Sequence, residues 1–419
     1  MIEIQSRPVR NRTVEVPGSK SYTHRTLIIS ALSDGECEID NGLDSEDTRL
    51  TRDALKQMGI EIHQHLSLWT IKGNCGRLKP SEIPIFLGNS GTSMRLLAAV
   101  AALGSGRYVL TGTPRMQSRP IQDLLDGLGQ LDVHARSLNQ SGCPPVEIEA
   151  RSIQGGRVFL NCGASSQYLS ALLLISPYTA KGMEIVITEG PVSKPYIDMT
   201  TDIMEQAGVR VERNGYERFC IDGRQAYRSG RFVVEPDVSQ AGYFWAAAAV
   251  TGATVTVCNI SMESRQGDIR LLDVLKAMGC WIDAGTKGIS VTGGDLRAIE
   301  VDMGSMPDMV PTLAVVAAFA QGTTVITNIG QLKVKESDRL GSVVNELRKL
   351  GIEAGCDDTS MWITGGKPHD GLIDPHDDHR LAMSFAIAGL KTQGIRIQNE
   401  ICVEKSFPDF WNVFESLFQ

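Results

Sequence analysis

The side chains best suited to chemistry in this chain sit in short polar segments, each running straight into an apolar stretch. Gly88-Asn89-Ser90-Gly91-Thr92-Ser93-Met94-Arg95 is one, a turn of small residues that opens a buried helix. Free backbone N–H groups at a helix start, with roughly +0.5 charge from the aligned peptide dipoles, favour a phosphate or carboxylate. An ordinary Ser/Thr cap with glycines for close packing has the same composition. Ser165-Ser166-Gln167 and Pro17-Gly18-Ser19-Lys20-Ser21 repeat the pattern, however, and three such starts in one half of the chain favour anion binding. Tandem hydroxyls with Lys20 suit a phosphate monoester, and Arg25, on the same helix, suits a carboxylate. No Gly-Lys-Ser/Thr ends the glycine-rich segment and no G-x-G-x-x-G occurs, which disfavours nucleotide folds.

The second half of the chain adds cations and carboxylates together. Lys335-Glu336-Ser337-Asp338-Arg339 precedes an amphipathic helix, and Asp377-Asp378-His379-Arg380 opens an apolar one. Leu381, Ala382 and Met383 follow Arg380 at once, which places its guanidinium at the edge of a core rather than on a solvated face. His376-Asp377-Asp378-His379 has the residue types of a metal site, but neighbours on one turn rarely converge on one ion, so neither metal nor cofactor is expected. No G-x-S-x-G nucleophile motif is present.

The elements that must hold these segments recur six times, about every seventy residues: an apolar helix, a turn, a strand and an amphipathic helix. Leu169 to Ser176, Tyr243 to Val250, Leu313 to Ala320 and Leu381 to Leu390 are apolar on nearly every face, as in helices buried all round, and are too short to span a bilayer. Each begins in a polar segment, and Ser305 to Asp308 is another of these. The second helices carry one apolar stripe each, as in Leu340, Val343, Val344 and Leu347. Five of them are expected to stop at a glycine in the left-handed conformation: Gly59, Gly129, Gly208, Gly279 and Gly351.

Composition narrows the function classes. A net charge of −8 over 419 residues offers no global basic field for nucleic acid or an anionic membrane, so any anion site is local. Nine cysteines, with no C-x-x-C pair, argue against a disulfide framework and a zinc site, and are expected to be reduced and mostly buried. The first residues show no secretory signal, and a cytoplasmic protein is the simplest expectation. Joints are expected near Pro17-Gly18 and Glu235-Pro236-Asp237.

Together with Arg119-Pro120-Ile121, Ser193-Lys194-Pro195-Tyr196-Ile197-Asp198 and Lys405-Ser406-Phe407-Pro408-Asp409, these motifs resemble, in order and over the whole chain, those of the 5-enolpyruvylshikimate-3-phosphate synthases. The resemblance implies an α/β, two-domain enolpyruvyl transferase-like fold of six βαβαββ repeats, three per domain, with buried parallel helices. Its domains would be 19–235, mainly for shikimate 3-phosphate, and 1–18 with 236–419, which carries the catalytic carboxylates and phosphoenolpyruvate-binding cations. The active site would lie in the cleft between domains. It further implies transfer of the enolpyruvyl group of phosphoenolpyruvate to the 5-hydroxyl of shikimate 3-phosphate by addition–elimination, releasing phosphate, in aromatic amino-acid biosynthesis. By the same resemblance Lys20, Ser21, Arg25, Ser165, Ser166, Gln167, Ser193, Tyr196, Asp308 and Lys335 hold shikimate 3-phosphate. Lys20, Gly91, Arg119, Gln167, Lys335, Arg339, Arg380 and Lys405 hold phosphoenolpyruvate. Asp308 is expected as base and Glu336 as acid, with Lys20 able to share either task. Five or six negative charges from two substrates require such a set of cations when no metal assists.

Gln331, Glu404 beside Lys405, and Leu96 depart from the family pattern. Gly91 is expected to leave room that an alanine would fill, and hence to make the chain sensitive to glyphosate. The alternatives are the related UDP-N-acetylglucosamine enolpyruvyltransferase, whose loop cysteine is replaced in this chain by Pro114, and a non-catalytic anion-binding protein of the same fold. Neither nucleic-acid nor membrane partners are expected, and the protein is expected to be a monomer.

Overall fold

The computed structural model describes Met1–Gln419. The chain divides into two compact units: unit I is Gly18–Glu235, and unit II is Met1–Pro17 with Pro236–Gln419. Each has its own apolar core.

Unit I contains α1 (Lys20–Leu32), α2 (Glu46–Gln57), α3 (Gly91–Ala102), α4 (Gln122–Gly129), α5 (Gln167–Ile175) and α6 (Pro195–Gln206). Unit II contains α7 (Val238–Thr251), α8 (Leu271–Ala277), α9 (Val310–Ala317), α10 (Arg339–Lys349), α11 (His379–Gly389) and α12 (Phe410–Glu415). The odd-numbered helices are the buried ones: every residue of α5 from Tyr168 to Ile175, and every residue of α7 from Val238 to Val250, is inside. Apolar side chains on all faces leave such a helix no stable place except a core. In unit I, α3 packs on both α1 and α5, and in unit II α7, α9 and α11 pack on one another. The even-numbered helices bury one stripe each, as with Leu340, Val343, Val344 and Leu347 of α10.

Six sheets accompany the six helix pairs. Five of them have four strands, built on a parallel pair to which an antiparallel hairpin is added, as where 156–161 runs parallel to 183–189, which pairs antiparallel with 218–221. Alternation sets the buried face: in Glu36–Asp40, Cys37 and Ile39 point inward between exposed Glu36 and Glu38. Two strands pair far from their sequence neighbours. Arg231–Val233 completes the first sheet of unit I beside Glu38–Asp40, and Arg12–Val14 completes the first sheet of unit II beside Val255–Val257. The first strand, Ile2–Glu3, likewise pairs with Arg396–Ile397.

Two expectations need correction. Gly59, Gly208, Gly279 and Gly351 have positive φ after their helices, but Gly129, though the last residue of α4, does not, and the left-handed residue is Asp132, φ 62°. A short polar side chain tolerates that conformation, so the chain turns three residues later than the glycine suggests. The cysteines are free, but only Cys37, Cys162 and Cys280 are buried; Cys75 is exposed and five are intermediate. Most of those five lie at strand positions or in loops rather than on the all-buried helices. No helix is long and apolar enough to cross a membrane.

Candidate active site

In unit II the candidate residues meet around one guanidinium. Arg339 is the first residue of α10, which Asp338 caps by accepting from the Gly341 N–H at 3.2 Å. Its side chain is 1% exposed and reaches three carboxylates: Asp378 through Nε at 2.7 Å, Asp308 through Nη1 at 2.9 Å and Glu336 through Nη2 at 2.7 Å. Arg380 donates to the other Asp308 oxygen at 2.7 Å, and Lys335 Nζ stands 3.9 Å from Asp308. Three cations thus face three carboxylates. Burial alone would raise the Asp308 pKa, but Arg380, Lys335 and Arg339 outweigh it and hold the carboxyl well below its usual range. Burial lowers and Asp378, Glu336 and Asp308 raise the Arg339 pKa, and the carboxylates prevail.

Asp308 follows Pro307 in a single 3₁₀ turn at the head of α9, and its carboxylate meets guanidinium groups where a helix cap would hold backbone N–H groups. Asp378 caps α11 through the Arg380 N–H at 3.0 Å and also accepts from Ser337 Oγ at 3.1 Å. The four side chains of the possible metal motif diverge: His376 faces Glu346, Asp377 accepts from Asn399, Asp378 meets Arg339, and His379 is buried in α11. Lys405 ends a 3₁₀ segment that packs on α11, and Gln240, in the first turn of α7, donates to Ser406 O at 3.3 Å. Lys405 is buried while Glu404 is exposed.

In unit I the candidates cluster at the starts of α1, α3 and α5. Ser19 and Ser90 are the helix caps of α1 and α3, accepting from the Tyr22 and Ser93 N–H groups. Lys20 Nζ lies 3.1 Å from Asp47 Oδ2, both buried, and Ser93 Oγ donates to Asp47 O at 3.3 Å. Gln167 links two helix starts, donating to Thr92 Oγ1 at 2.9 Å and accepting from Arg95 Nη1 at 2.8 Å; its own N–H donates to Ser165 Oγ. Arg25 is buried among neutral oxygens: Thr200 Oγ1 at 2.7 Å, Ser21 O at 2.9 Å, Tyr196 O at 3.1 Å and Ser170 Oγ at 3.4 Å. Burial brings its pKa down to about 10, so it stays charged at neutral pH. A desolvated cation among neutral oxygens is suited to a substrate anion. Ser193, φ 53° and buried, turns the chain into α6, and its carbonyl accepts from Tyr196 N–H. Ser166 is buried at the head of α5.

The space expected at Gly91 is already taken. A Cβ there would lie 2.5 Å from Arg119 Nη2 and 2.7 Å from its Cζ. Arg119 lies along the start of α3, donating from Nη1 to Asn89 O at 2.9 Å and Asn89 Oδ1 at 3.2 Å.

Sequence reasoning missed three acids. Asp47 looks like an ordinary first-turn acid of α2, and only folding brings it to Lys20. Asp378 lies inside a motif in which Arg380 is the conspicuous residue. Asp268, in the 3₁₀ turn before α8, is buried with Oδ1 lacking a partner. Burial, then Asp308, push its pKa up to about 7 against the pull of Arg380. Between its ordinary range and about pH 7 the folded chain therefore holds a proton that the unfolded chain has lost, so this group's stabilising contribution is present at low pH and lost as pH rises. Asp268→Asn is expected to gain stability relative to the parent, more at about pH 8 than at about pH 5, in urea unfolding. An equal difference at both would contradict the assignment.

Six repeats of buried and amphipathic helices, in two units that set acids and cations at the heads of buried helices, define the enolpyruvyl transferase class of fold. The enolpyruvyl transferase NikO from Streptomyces tendae superposes with a TM-score of 0.80 over 99% of this chain and 96% of its own, at 20% identity, which speaks to the fold alone. EPSP synthase from Acinetobacter baumannii superposes with a TM-score of 0.83 at 28% identity, covering 99% of this chain and 97% of that one. Residues 5–414 match the family model of EPSP synthase (3-phosphoshikimate 1-carboxyvinyltransferase). The 3-phosphoshikimate 1-carboxyvinyltransferase of Syntrophobacter fumaroxidans is 42% identical over 96% of both chains, and that of Sulfurovum sp. 43% over 100% of this chain and 99% of its own. The chain belongs to the EPSP synthase family.

Proposed function

We propose that the chain is a 3-phosphoshikimate 1-carboxyvinyltransferase, moving the enolpyruvyl group of phosphoenolpyruvate to the 5-hydroxyl of shikimate 3-phosphate and releasing phosphate, within aromatic amino-acid biosynthesis. The observation that carries the chemistry is Arg339 joining Asp308, Glu336 and Asp378, with Arg380 and Lys335 beside them. Arg25, Ser165, Ser166, Gln167, Ser193, Tyr196 and Ser21 hold shikimate 3-phosphate with Lys20. Arg119 at Gly91, Lys335, Arg339, Arg380 and Lys405 hold phosphoenolpyruvate.

In this mechanism the 5-hydroxyl oxygen attacks C2 while its proton passes to Asp308. Glu336, protonated once phosphoenolpyruvate draws Arg339 away from it, delivers a proton to C3, which becomes a methyl group. The C2–O bond to phosphate then breaks, Glu336 recovers a proton from the methyl carbon to restore the double bond, and the proton on Asp308 leaves with phosphate. Positive character at C2 is met by the two carboxylates. Before substrate binds, the cations that suppress Asp308 as a proton acceptor are its own neighbours. Phosphoenolpyruvate draws those cations to itself, and the carboxylate becomes a competent base only when the donor is in place.

The chain works without metal, as a monomer in the cytoplasm. Incubation with phosphoenolpyruvate and each acceptor, in chelator, tests the assignment: an enolpyruvyl ether forms by mass spectrometry with shikimate 3-phosphate, and its appearance only with UDP-N-acetylglucosamine would overturn it. Gly91→Ala pushes the Arg119 guanidinium off the α3 start. Loss of one charge-assisted hydrogen bond raises KM for phosphoenolpyruvate about tenfold. Half-inhibition by glyphosate shifts to higher concentration in the same variant; unchanged steady-state values would show that Arg119 does not bind the donor.

A further inference from the structure

Asp378, the cap of α11, ties the head of that helix to α10 by pairing with Arg339, and a second fastening lies further along α10. Arg339, Val343 and Glu346 recur at i, i+4 and i+7, so Glu346 lies on the Arg339 face about 10 Å along the axis. Its carboxylate is 1% exposed, yet it serves the segment that leads into Asp378: it accepts from the Asp374 N–H at 3.2 Å and stands 3.3 Å from His376 Nε2. Lys349 Nζ, from the same helix, completes it at 2.8 and 3.0 Å. The segment from Asp374 to Asp378 is thus tied down at both ends, to Glu346 and to Arg339.

Between the ties the backbone is held in an uncommon shape. His376 (φ 52°) and Asp377 (φ 55°) are consecutive left-handed residues, and neither is glycine. Each costs about 1–2 kcal/mol and persists only where surroundings over-determine it. The surroundings are identifiable: the Asp374 carboxylate accepts from the His376 N–H at 2.8 Å, Asn399 Nδ2 donates to Asp377 at 2.5 Å, and the Asp378 N–H donates to Pro375 O at 2.8 Å. Asp378 leaves this turn as the α11 cap and the Nε partner of Arg339, so a slip of the turn moves both guanidiniums that flank Asp308.

We propose that Glu346 and His376 are positioning residues for the donor site: their contact holds the 374–377 turn in its left-handed form and so sets Asp378, Arg339 and Arg380 for phosphoenolpyruvate. Neither touches substrate. The proposal rests on the assignment of those arginines to phosphoenolpyruvate.

The test is steady-state kinetics of the full chain with both substrates varied. His376 is partly exposed, so His376→Phe folds while losing the ring nitrogen that faces Glu346. The variant raises KM for phosphoenolpyruvate about tenfold, the equivalent of one charge-assisted contact. KM for shikimate 3-phosphate stays at the parent value, and His376→Gln, which keeps a donor, recovers most of the loss. Glu346→Gln, isosteric and still an acceptor for Asp374 N–H, gives a smaller shift of the same kind. Unchanged KM for phosphoenolpyruvate in His376→Phe, equal changes in both KM values, or no recovery by Gln would overturn the proposal while leaving the functional assignment in place. An inactive parent chain would overturn both.

Discussion

Asp308→Asn lowers kcat by about three orders of magnitude while shikimate 3-phosphate still binds, the loss expected when a positioned base is removed. The substitution keeps the shape of the side chain and an acceptor for one of its guanidinium neighbours, but abolishes proton uptake. It also removes one of the three carboxylates balancing Arg339, Arg380 and Lys335. Phosphoenolpyruvate therefore binds the variant at least as tightly as the parent, and the defect appears in kcat rather than KM. Single-turnover phosphate release with equilibrium binding of each substrate separates these quantities. Parent-like turnover in Asp308→Asn would remove this carboxylate from the mechanism.

Arg339→Ala has the opposite signature. KM for phosphoenolpyruvate rises about a hundredfold, through loss of two charge-assisted hydrogen bonds of roughly 1.5 kcal/mol each. The free protein also suffers, because Asp378, 0% exposed, loses its charged partner while Asp308 and Glu336 lose one of theirs. Stability falls by about 3–5 kcal/mol, the usual cost of breaking a buried pair from one side. Arg339→Lys recovers part of the stability and little of the donor affinity, since a single ammonium cannot span three carboxylates as the planar fork does. A variant with parent-like unfolding and parent-like KM would contradict the central place of this residue.

Much of this was legible in the sequence because helix burial and helix capping are local. A run such as Tyr243 to Val250 must be interior wherever it lies, and a serine such as Ser90 before a run is a cap by residue type. The ends of helices were less secure: α4 does end at Gly129, but that glycine is not left-handed, and the chain turns at Asp132. Strand partners were not legible from residues at all. Arg12–Val14 and Arg231–Val233 are three residues each, and what selects their neighbours is the open edge of a distant antiparallel set, to which each adds in parallel. The same limit applies to the site. Lys20, Arg339 and Arg380 stand out because a cation next to an apolar run needs a partner, whereas Asp47 and Asp268 look like acids at ordinary helix starts until folding buries them. The alanine-sized space expected beside Gly91 shows the converse, since a glycine in a motif does not reveal that Arg119 fills the space.

The fate of the bridging oxygen of phosphoenolpyruvate tests the central claim most directly. With heavy oxygen between C2 and phosphorus, and shikimate 3-phosphate as acceptor, addition and elimination break the C2–O bond, so all of the label leaves in the released phosphate and none remains in the enolpyruvyl ether. Phosphate release that requires both substrates, is unaffected by chelator and carries the label is the predicted result. Label retained on the carbon skeleton would mean that the P–O bond is broken instead, and release without acceptor that water takes the acceptor's place; in either case the roles of Asp308 as base, Glu336 as acid and the surrounding arginines as donor ligands would not stand.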